Sequence, residues 1–191
     1  MNAPKSRTVP LIAMLLVIGM VTSAAGCAEF GPRVWIEYSE SVELTASDLA
    51  AVEAKTENGT IKVLAAEDGA ETIKVRVRVR AGGISQEDAQ ACLDAIQVYM
   101  PVEDRDGGVQ EIFWKWNQYK QPQWQSRISY EIELPSHLAL IAETSNGEIR
   151  ARGLDAPCDV ESSTGALLVD GGRGRIQART STGHINVRRA A

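Results

Sequence analysis

Four aromatic residues that lie close together in the sequence are the strongest candidates for a binding site. Trp114 and Trp116 share one side of a predicted strand, and Tyr119 and Trp124 belong to the polar, proline-containing stretch that follows. Aromatic rings beside a polar loop can stack on sugars or anchor a protein partner. The alternative is that Trp114 and Trp116 cover a helix or the open end of a sheet as part of the core.

Glu143 and Glu161 are the two carboxylates whose spacing would suit hydrolysis of a glycan. They occupy equivalent positions in a repeated pattern, so they would lie about 5 Å apart on adjacent strands. Glycoside hydrolysis needs two carboxylates held about 5 to 10 Å apart. Arg179 continues the same column, and a surface charge ladder is the simpler interpretation. We therefore predict that the protein is not an enzyme and has no catalytic residue.

The histidines and the later cysteines predict neither a metal site nor a cofactor. His137 and His184 are the two histidines, and neither has a third ligand at a spacing typical of metal sites. Cys92 falls on the apolar face of a predicted helix, and Cys158 falls in an inward column of the repeat. They are either two small buried side chains or, outside the cytoplasm, a disulfide.

The first 41 residues predict secretion and attachment to a membrane. Basic residues precede an apolar run over 9–21, which is shorter than the roughly 20 residues of a spanning helix. Small residues then lead to Ala24-Ala25-Gly26-Cys27, which resembles the lipobox of bacterial lipoproteins. The alternative is an ordinary signal peptide with a chance cysteine. We predict a lipoprotein signal peptide over 1–26, acyl chains such as palmitate on Cys27, and a lipidated tether over 27–41.

The residue after Cys27 and the net charge of the mature chain indicate where the protein resides and which class of partner is excluded. Because Ala28 and not aspartate follows Cys27, the resemblance to lipoproteins favours an outer membrane if the cell has two membranes. Removing 1–26 leaves 18 Lys and Arg against 25 Asp and Glu, because that segment holds two basic residues and no acidic one. The resulting net charge near −7 argues against nucleic acid as a partner. We predict a lipid-anchored, extracytoplasmic protein of the cell envelope.

One short pattern returns every 18 residues in the last quarter of the chain. Thr144-Ser145-Asn146-Gly147 recurs over 162–165 and 180–183, and an earlier copy ends at residue 59. Apolar positions recur with it, which is typical of stacked β-strands around a dry interior. The fold class is therefore predicted as all-β, with a single-domain, β-solenoid or β-helix-like stack of rungs over 42–191. Each copy has a structural turn glycine that we expect at positive φ: Gly59, Gly147, Gly165 and Gly183.

A segment without the repeat separates the first copy from the later ones. Gly59 and Gly147 are 88 residues apart, which is not a multiple of 18. We predict an irregular insertion over 82–125, with a helix over about 85–98, between long antiparallel strands. One strand, 73–80, alternates apolar residues with basic ones, and its basic face either meets an anionic polymer or keeps the sheet from aggregating. Its basic residues are Lys74, Arg76, Arg78 and Arg80.

The order of these motifs resembles a known family. A strand ending Ile132-Glu133-Leu134-Pro135 precedes Thr144-Ser145-Asn146-Gly147-Glu148-Ile149 and then the repeated Ser/Thr-Gly rungs. This order is similar to that of the bacterial putative-adhesin β-strand-repeat family, whose members are also called toast-rack domains. The resemblance covers about 42–187. It implies an envelope-associated protein, in some cases attached to a stress-sensing system, and no catalytic residues.

The sequence thus predicts a membrane-anchored extracytoplasmic lipoprotein that acts non-catalytically as a binding, adhesion or scaffolding module of the cell envelope. Its expected partners are a membrane, through the lipid on Cys27, and an envelope polymer or a protein. An envelope-stress sensor or regulatory subunit is the first alternative. An envelope glycan-processing enzyme is the second and less favoured one.

Overall fold

The computed structural model describes residues 32–103, 107–171 and 173–189. Alternation of apolar and polar residues produces long strands, and the one helix among these residues forms where this alternation stops. In the described part of the chain, no helix has both the length and the hydrophobicity that crossing a membrane requires. The elements are β1 (Val34–Thr45), β2 (Ala51–Asn58), β3 (Ile61–Ala65), β4 (Thr72–Gly83), α1 (Gln86–Asp94), β5 (Ile96–Tyr99), β6 (Val102–Glu103), β7 (Val109–Trp116), β8 (Gln125–Leu134), β9 (Ala139–Asn146), β10 (Ile149–Arg152), β11 (Cys158–Thr164), β12 (Leu167–Gly171), β13 (Ile176–Thr182) and β14 (Ile185–Arg189).

The strands form two mixed β-sheets, and neither sheet closes on itself. Sheet I has the order β1-β4-β8-β3-β10-β12-β14, and only β4 runs opposite to the other strands. Sheet II has the order β13-β11-β9-β2-β7-β5, with β6 beside β7. The inward rows of both sheets form one hydrophobic core. The predicted all-β class is therefore confirmed.

The 18-residue pattern corresponds to parallel pairing in register. In sheet II, Cys158 pairs with Leu140 on one side and with Ile176 on the other. In sheet I, Leu167 pairs with both Ile149 and Ile185. Each copy of the pattern contributes one strand to sheet II and the next strand to sheet I. The columns of equivalent apolar residues that the sequence predicts are thus present.

The helix is shorter than predicted, and the segment around it is more regular. Ser85 Oγ accepts a hydrogen bond from the Asp88 N–H at 3.1 Å and so starts the helix, which ends at Asp94 and not near residue 98. Ile96–Tyr99 instead form β5, because antiparallel pairing with β7 satisfies their backbone groups. β7 in turn pairs in parallel with β2. The predicted irregular insertion over 82–125 therefore contributes strands to sheet II.

The first strand begins earlier than the predicted boundary of the domain. β1 starts at Val34, inside the segment 27–41 that we predicted as the lipidated tether. It pairs with β4 over its whole length, from Val34 opposite Gly83 to Thr45 opposite Thr72. The twelve-residue pairing explains the difference, because an alternating segment of this length forms a complete edge strand.

Candidate binding surfaces

The outer face of sheet I carries a groove of about 790 Å³ that we call the basic groove. It forms where alternate residues of β1, β3, β4, β8 and β10 point away from the core. Leu64 is half exposed within it and provides an apolar patch. Its charged side chains are Lys62, Lys74, Arg76, Arg150 and Arg152, together with Glu43, Glu131 and Glu133.

Ion pairs between neighbouring strands organise the basic groove. Lys62 Nζ lies 3.2 Å from Glu131 Oε1, and Arg76 Nη1 lies 3.8 Å from Glu131 Oε2. Lys74 Nζ lies 3.4 Å from Glu133 Oε2. All five side chains keep between 40% and 58% of their surface exposed, so water screens these pairs and each contributes little to folding. The cations therefore remain accessible to an anionic ligand.

The basic strand predicted from the sequence extends this surface along β4. Arg78 Nε and Arg80 Nε lie 3.4 Å and 3.7 Å from the two carboxylate oxygens of Glu37 on β1. The Arg80 guanidinium also lies 5.2 Å from the ring centroid of Trp35, which is 37% exposed. The four basic residues of β4 therefore line one face, with an aromatic ring at its edge.

The outer face of sheet II places Glu143 and Glu161 side by side. Lys55, Glu143, Glu161 and Arg179 are register partners on four consecutive strands. Lys55 Nζ lies 2.7 Å from Glu53 Oε1, and this hydrogen bond is the main cause of the raised pKa of Lys55. The predicted charge ladder is confirmed. Because both carboxylates project from one sheet face, they do not flank a bond across a cleft as glycoside hydrolysis requires.

The three tryptophans of the predicted aromatic group pack together beside the helix. The rings of Trp114 and Trp116 are 5.2 Å apart and nearly perpendicular, and those of Trp116 and Trp124 are 6.1 Å apart and stacked. Trp114 and Trp124 are buried in the core, whereas Tyr119 is 81% exposed. Trp124 Nε1 donates a hydrogen bond to Asp88 Oδ1 at 2.8 Å. The structure thus places these tryptophans as a cover over the core, with Tyr119 on the surface.

Asp88 connects the start of α1 to the aromatic cluster through hydrogen bonds. Its carboxylate accepts hydrogen bonds from the Ile84 N–H at 2.9 Å, from Trp124, and from Gln123 Nε2 at 3.2 Å. The bond from Ile84 is the main cause of the lowered pKa of Asp88, followed by the bond from Trp124. The aspartate therefore joins the helix start to the aromatic cluster as an anion.

The turn glycines are stacked on one another. A Cβ on Gly147 would lie 1.8 Å from the carbonyl oxygen of Gly59, and a Cβ on Gly165 would lie 1.8 Å from that of Gly147. Of these two, only Gly165 has a φ in the left-handed region, at 151°. The expectation that positive φ requires glycine in every copy was wrong for Gly59, Gly147 and Gly183, whose φ lies outside the left-handed region. Close approach of a neighbouring backbone is the physical reason instead, because a Cβ would meet the carbonyl oxygen of Ile128 at Gly59, of Gly59 at Gly147 and of Gly165 at Gly183.

A hydroxyl accompanies each of these glycines. Thr144 Oγ1 donates to the carbonyl oxygen of Gly59 at 3.4 Å, and Ser162 Oγ donates to that of Gly147 at 3.3 Å. Thr180 Oγ1 donates to the carbonyl oxygen of Gly165 at 3.4 Å. The Ser/Thr and Gly positions of the repeat therefore act together, because each hydroxyl bonds the turn of the preceding copy.

The cysteines and histidines form no site in the described residues. Cys92 and Cys158 are separate free thiols, and burial raises the pKa of each to about 11. His137 and His184 are both exposed. Among residues 32–103, 107–171 and 173–189, no group of three His, Cys, Asp or Glu side chains could hold a metal ion. The predicted lipidation site, Cys27, lies outside the described residues.

The pairing of the basic strand with acidic residues of β8 is a feature that the sequence analysis missed. Glu131 and Glu133 alternate with apolar residues in β8, as the basic residues do in β4. Two strands with opposite charges at the same alternation are a signal for antiparallel neighbours, which is the arrangement that forms here. This signal would have located the basic groove.

No protein-family model matches the chain, and no curated protein matches it. Among solved structures, the chain is similar to a putative cell adhesion protein from Clostridium sporogenes, with 10% identity and a TM-score of 0.42 over 81% of this chain and 100% of that one. A putative adhesin from Parabacteroides distasonis has 12% identity and a TM-score of 0.29, over 78% and 70% of the two chains. A putative adhesin from Bacteroides fragilis has 8% identity and a TM-score of 0.26, over 78% and 96%. TM-scores below 0.5 do not establish a shared fold or function.

Proposed function

We propose that the protein is a membrane-anchored extracytoplasmic lipoprotein that binds an anionic polymer of the cell envelope without catalysis. The frame is a solenoid-like stack of 18-residue rungs, and the binding surface is the basic groove. The lipid on Cys27 holds the chain at the membrane, so that the groove meets envelope material. Binding of this kind serves adhesion or scaffolding.

The single observation that carries this proposal is the array of exposed cations in the basic groove. Lys62 and Arg150 are register partners on adjacent strands, about 4.8 Å apart across the sheet. Lys74 and Arg76 lie two strands away from β3, with Glu131 and Glu133 of β8 between them, so a flexible polyanion can contact several of these cations along its length. Each contact is weak because it is exposed, and several contacts add to a useful affinity. The exposed Leu64 offers an apolar contact to the carbon skeleton of a sugar. A polymer fits this surface better than a single small ligand does.

Binding of the full chain in detergent to immobilised polygalacturonate tests the groove, with neutral dextran as the reference. Arg150→Ala combined with Arg152→Ala should weaken binding roughly tenfold, because two exposed charge pairs are lost. The binding should also weaken as the salt concentration rises. Arg175→Ala combined with Arg179→Ala removes one charge just before β13 and one within β13 of sheet II, and serves as the matched control. Equal loss in both double variants, or equal binding to dextran, would contradict the proposal.

The anchor is tested separately from the groove. Cys27→Ala should move the protein from the membrane fraction to the soluble fraction, because the acyl chains provide the attachment. Metabolic labelling with palmitate should mark the wild-type chain and not the variant. Continued membrane retention of an unlabelled Cys27→Ala chain would show that another segment anchors the protein.

A further inference from the structure

Sheet I ends in two open edges with opposite charge. Within the described residues, β1 pairs only with β4 and β14 pairs only with β12. The two edge strands run in the same direction, because β4 alone is reversed in this sheet. An open edge presents backbone N–H and C=O groups that another strand can pair with.

The last rung of the repeat is basic and partly apolar. Residues 173–189 include no aspartate or glutamate. Ile185 and Val187, which lie on the inward row of β14, are each 42% exposed, whereas their equivalents Leu167 and Val169 are buried. The arginines of this segment are Arg173, Arg175, Arg179, Arg188 and Arg189.

The opposite edge is acidic and has an apolar crevice beside it. β1 contains Glu37, Glu40 and Glu43 and no basic residue. The crevice lies between β1 and β5. Its apolar lining includes Tyr38, Val42, Leu93, Val98 and Met100. The two edges of sheet I therefore complement each other in charge, and each offers apolar surface.

The registers of the strands show how the two edges would fit. One row of register partners on the outer face runs from Glu43 on β1 to Arg188 on β14. Its side chains alternate between negative and positive charge, except for one neutral residue. In order across the sheet, this row is Glu43, Lys74, Glu133, Leu64, Arg152, Asp170 and Arg188. The adjacent inward row is apolar from Val42 to Val187. Continuing the sheet would place Arg188 beside Glu43 and Val187 beside Val42.

We propose that sheet I of one copy continues into sheet I of a second copy, with β14 of the first pairing in parallel with β1 of the second. The interface uses different surfaces on the two copies, so it can repeat and form an open array. Two last rungs facing each other would instead bring the arginines of both copies together, which like charge opposes.

Glu40 weakens this contact. It lies on the inward row of β1, where the same register places it beside Ile185 of the first copy. Tyr38 donates a hydrogen bond to Glu40 Oε2 at 3.1 Å. An inward charge on an edge strand opposes strand addition. We therefore expect a reversible association that Glu40→Val strengthens.

Cross-linking between two cysteine variants of the full chain in detergent tests the arrangement. Ser41 and Asn186 end the next row of the outer face, so Ser41→Cys and Asn186→Cys keep every charge. A short bis-maleimide should link the two variants only when they are mixed. Ser163→Cys, exposed on sheet II, replaces Asn186→Cys in the matched control. Cys92 and Cys158 are buried and should not react.

The outcomes decide between arrangements. Linkage of Asn186→Cys to itself would overturn the proposal in favour of two last rungs meeting, and linkage no greater than in the Ser163→Cys control would overturn it entirely. Adding Arg188→Glu to the Asn186→Cys chain should lower the yield roughly fivefold, and Glu43→Arg in the Ser41→Cys chain should restore it. A Glu40→Val substitution that leaves the yield unchanged or lower would contradict the register. None of these variants changes the arginines used to test polymer binding.

Discussion

The two ends of the hydrophobic core differ in how they are covered. At one end, α1 packs against β4 and β1, and Trp114 and Trp124 are buried beside it. At the other end, the last rung leaves Ile185 and Val187 partly exposed, with arginines around them. The first end has the side chains that complete a core, and the second has the same apolar row as every inner rung. The last described rung thus keeps the apolar row of an inner rung, whereas the helix end is covered by residues outside the repeat.

Trp124→Ala should have the largest effect among the changes that test this difference. The substitution removes a buried ring, its stacking on Trp116 and its hydrogen bond to Asp88. We expect a loss of about 3–5 kcal/mol in the free energy of unfolding, measured by urea denaturation of the full chain. A loss as small as that of Ile185→Ala, the matched truncation at the open end, would show that the aromatic cover does not stabilise the core.

Gly147→Ala should come next. The added Cβ would collide with the carbonyl oxygen of Gly59, and neither neighbouring turn can move without disturbing a further one. We expect a loss of about 1–3 kcal/mol in the free energy of unfolding. Gly183→Ala meets Gly165 in the same way, but the last rung is free to shift, so its loss should be smaller. Equal losses in urea denaturation would mean that the open end is as rigid as the interior.

Asp88→Asn should alter the pH dependence of stability. The folded-state pKa of Asp88 is lowered, so its contribution is present above the unfolded-state pKa of about 3.9 and is lost as the pH falls through the folded-state value. The variant lacks this contribution and should be less stable than wild type at neutral pH. The difference should narrow in acid, which unfolding at pH 7 and below pH 4 would measure. Asp94→Asn, exposed at the other end of the helix, is the control.

Val187→Thr should have the smallest effect on folding. The side chain is 42% exposed and has no neighbour on its open side within the described residues, so we expect a change within about 0.5 kcal/mol. Val169→Thr, the equivalent change in the buried neighbouring strand, should cost about 1–3 kcal/mol because it buries a hydroxyl. Similar values for the two variants in urea denaturation would contradict the difference between the rungs.

The sequence predicts those features whose causes lie within one copy of the repeat. The column of Leu140, Cys158 and Ile176 follows from a fixed period, because equal spacing places equivalent residues in register. The position at which α1 ends does not follow from the local sequence, because Ile96–Tyr99 become a strand only through pairing with β7. The basic groove also depends on pairing between β4 and β8, which are distant in the sequence because α1 and three strands lie between them. The alternation of residues within one strand does not determine which distant strand it pairs with.

The hydroxyl–glycine contacts have a consequence for how the chain can change in length. Each of Thr144, Ser162 and Thr180 bonds the glycine turn of the copy before it, so a rung needs only its predecessor to be held in place. Deleting or duplicating 18 residues between two equivalent turns would therefore recreate every type of contact. Deleting 9 residues would place strands of one sheet at the positions of the other sheet, so that equivalent residues would no longer lie in register. Growth by whole copies is thus compatible with this architecture, and the distance between the helix-closed end and the arginine-rich end would change in steps of one strand spacing.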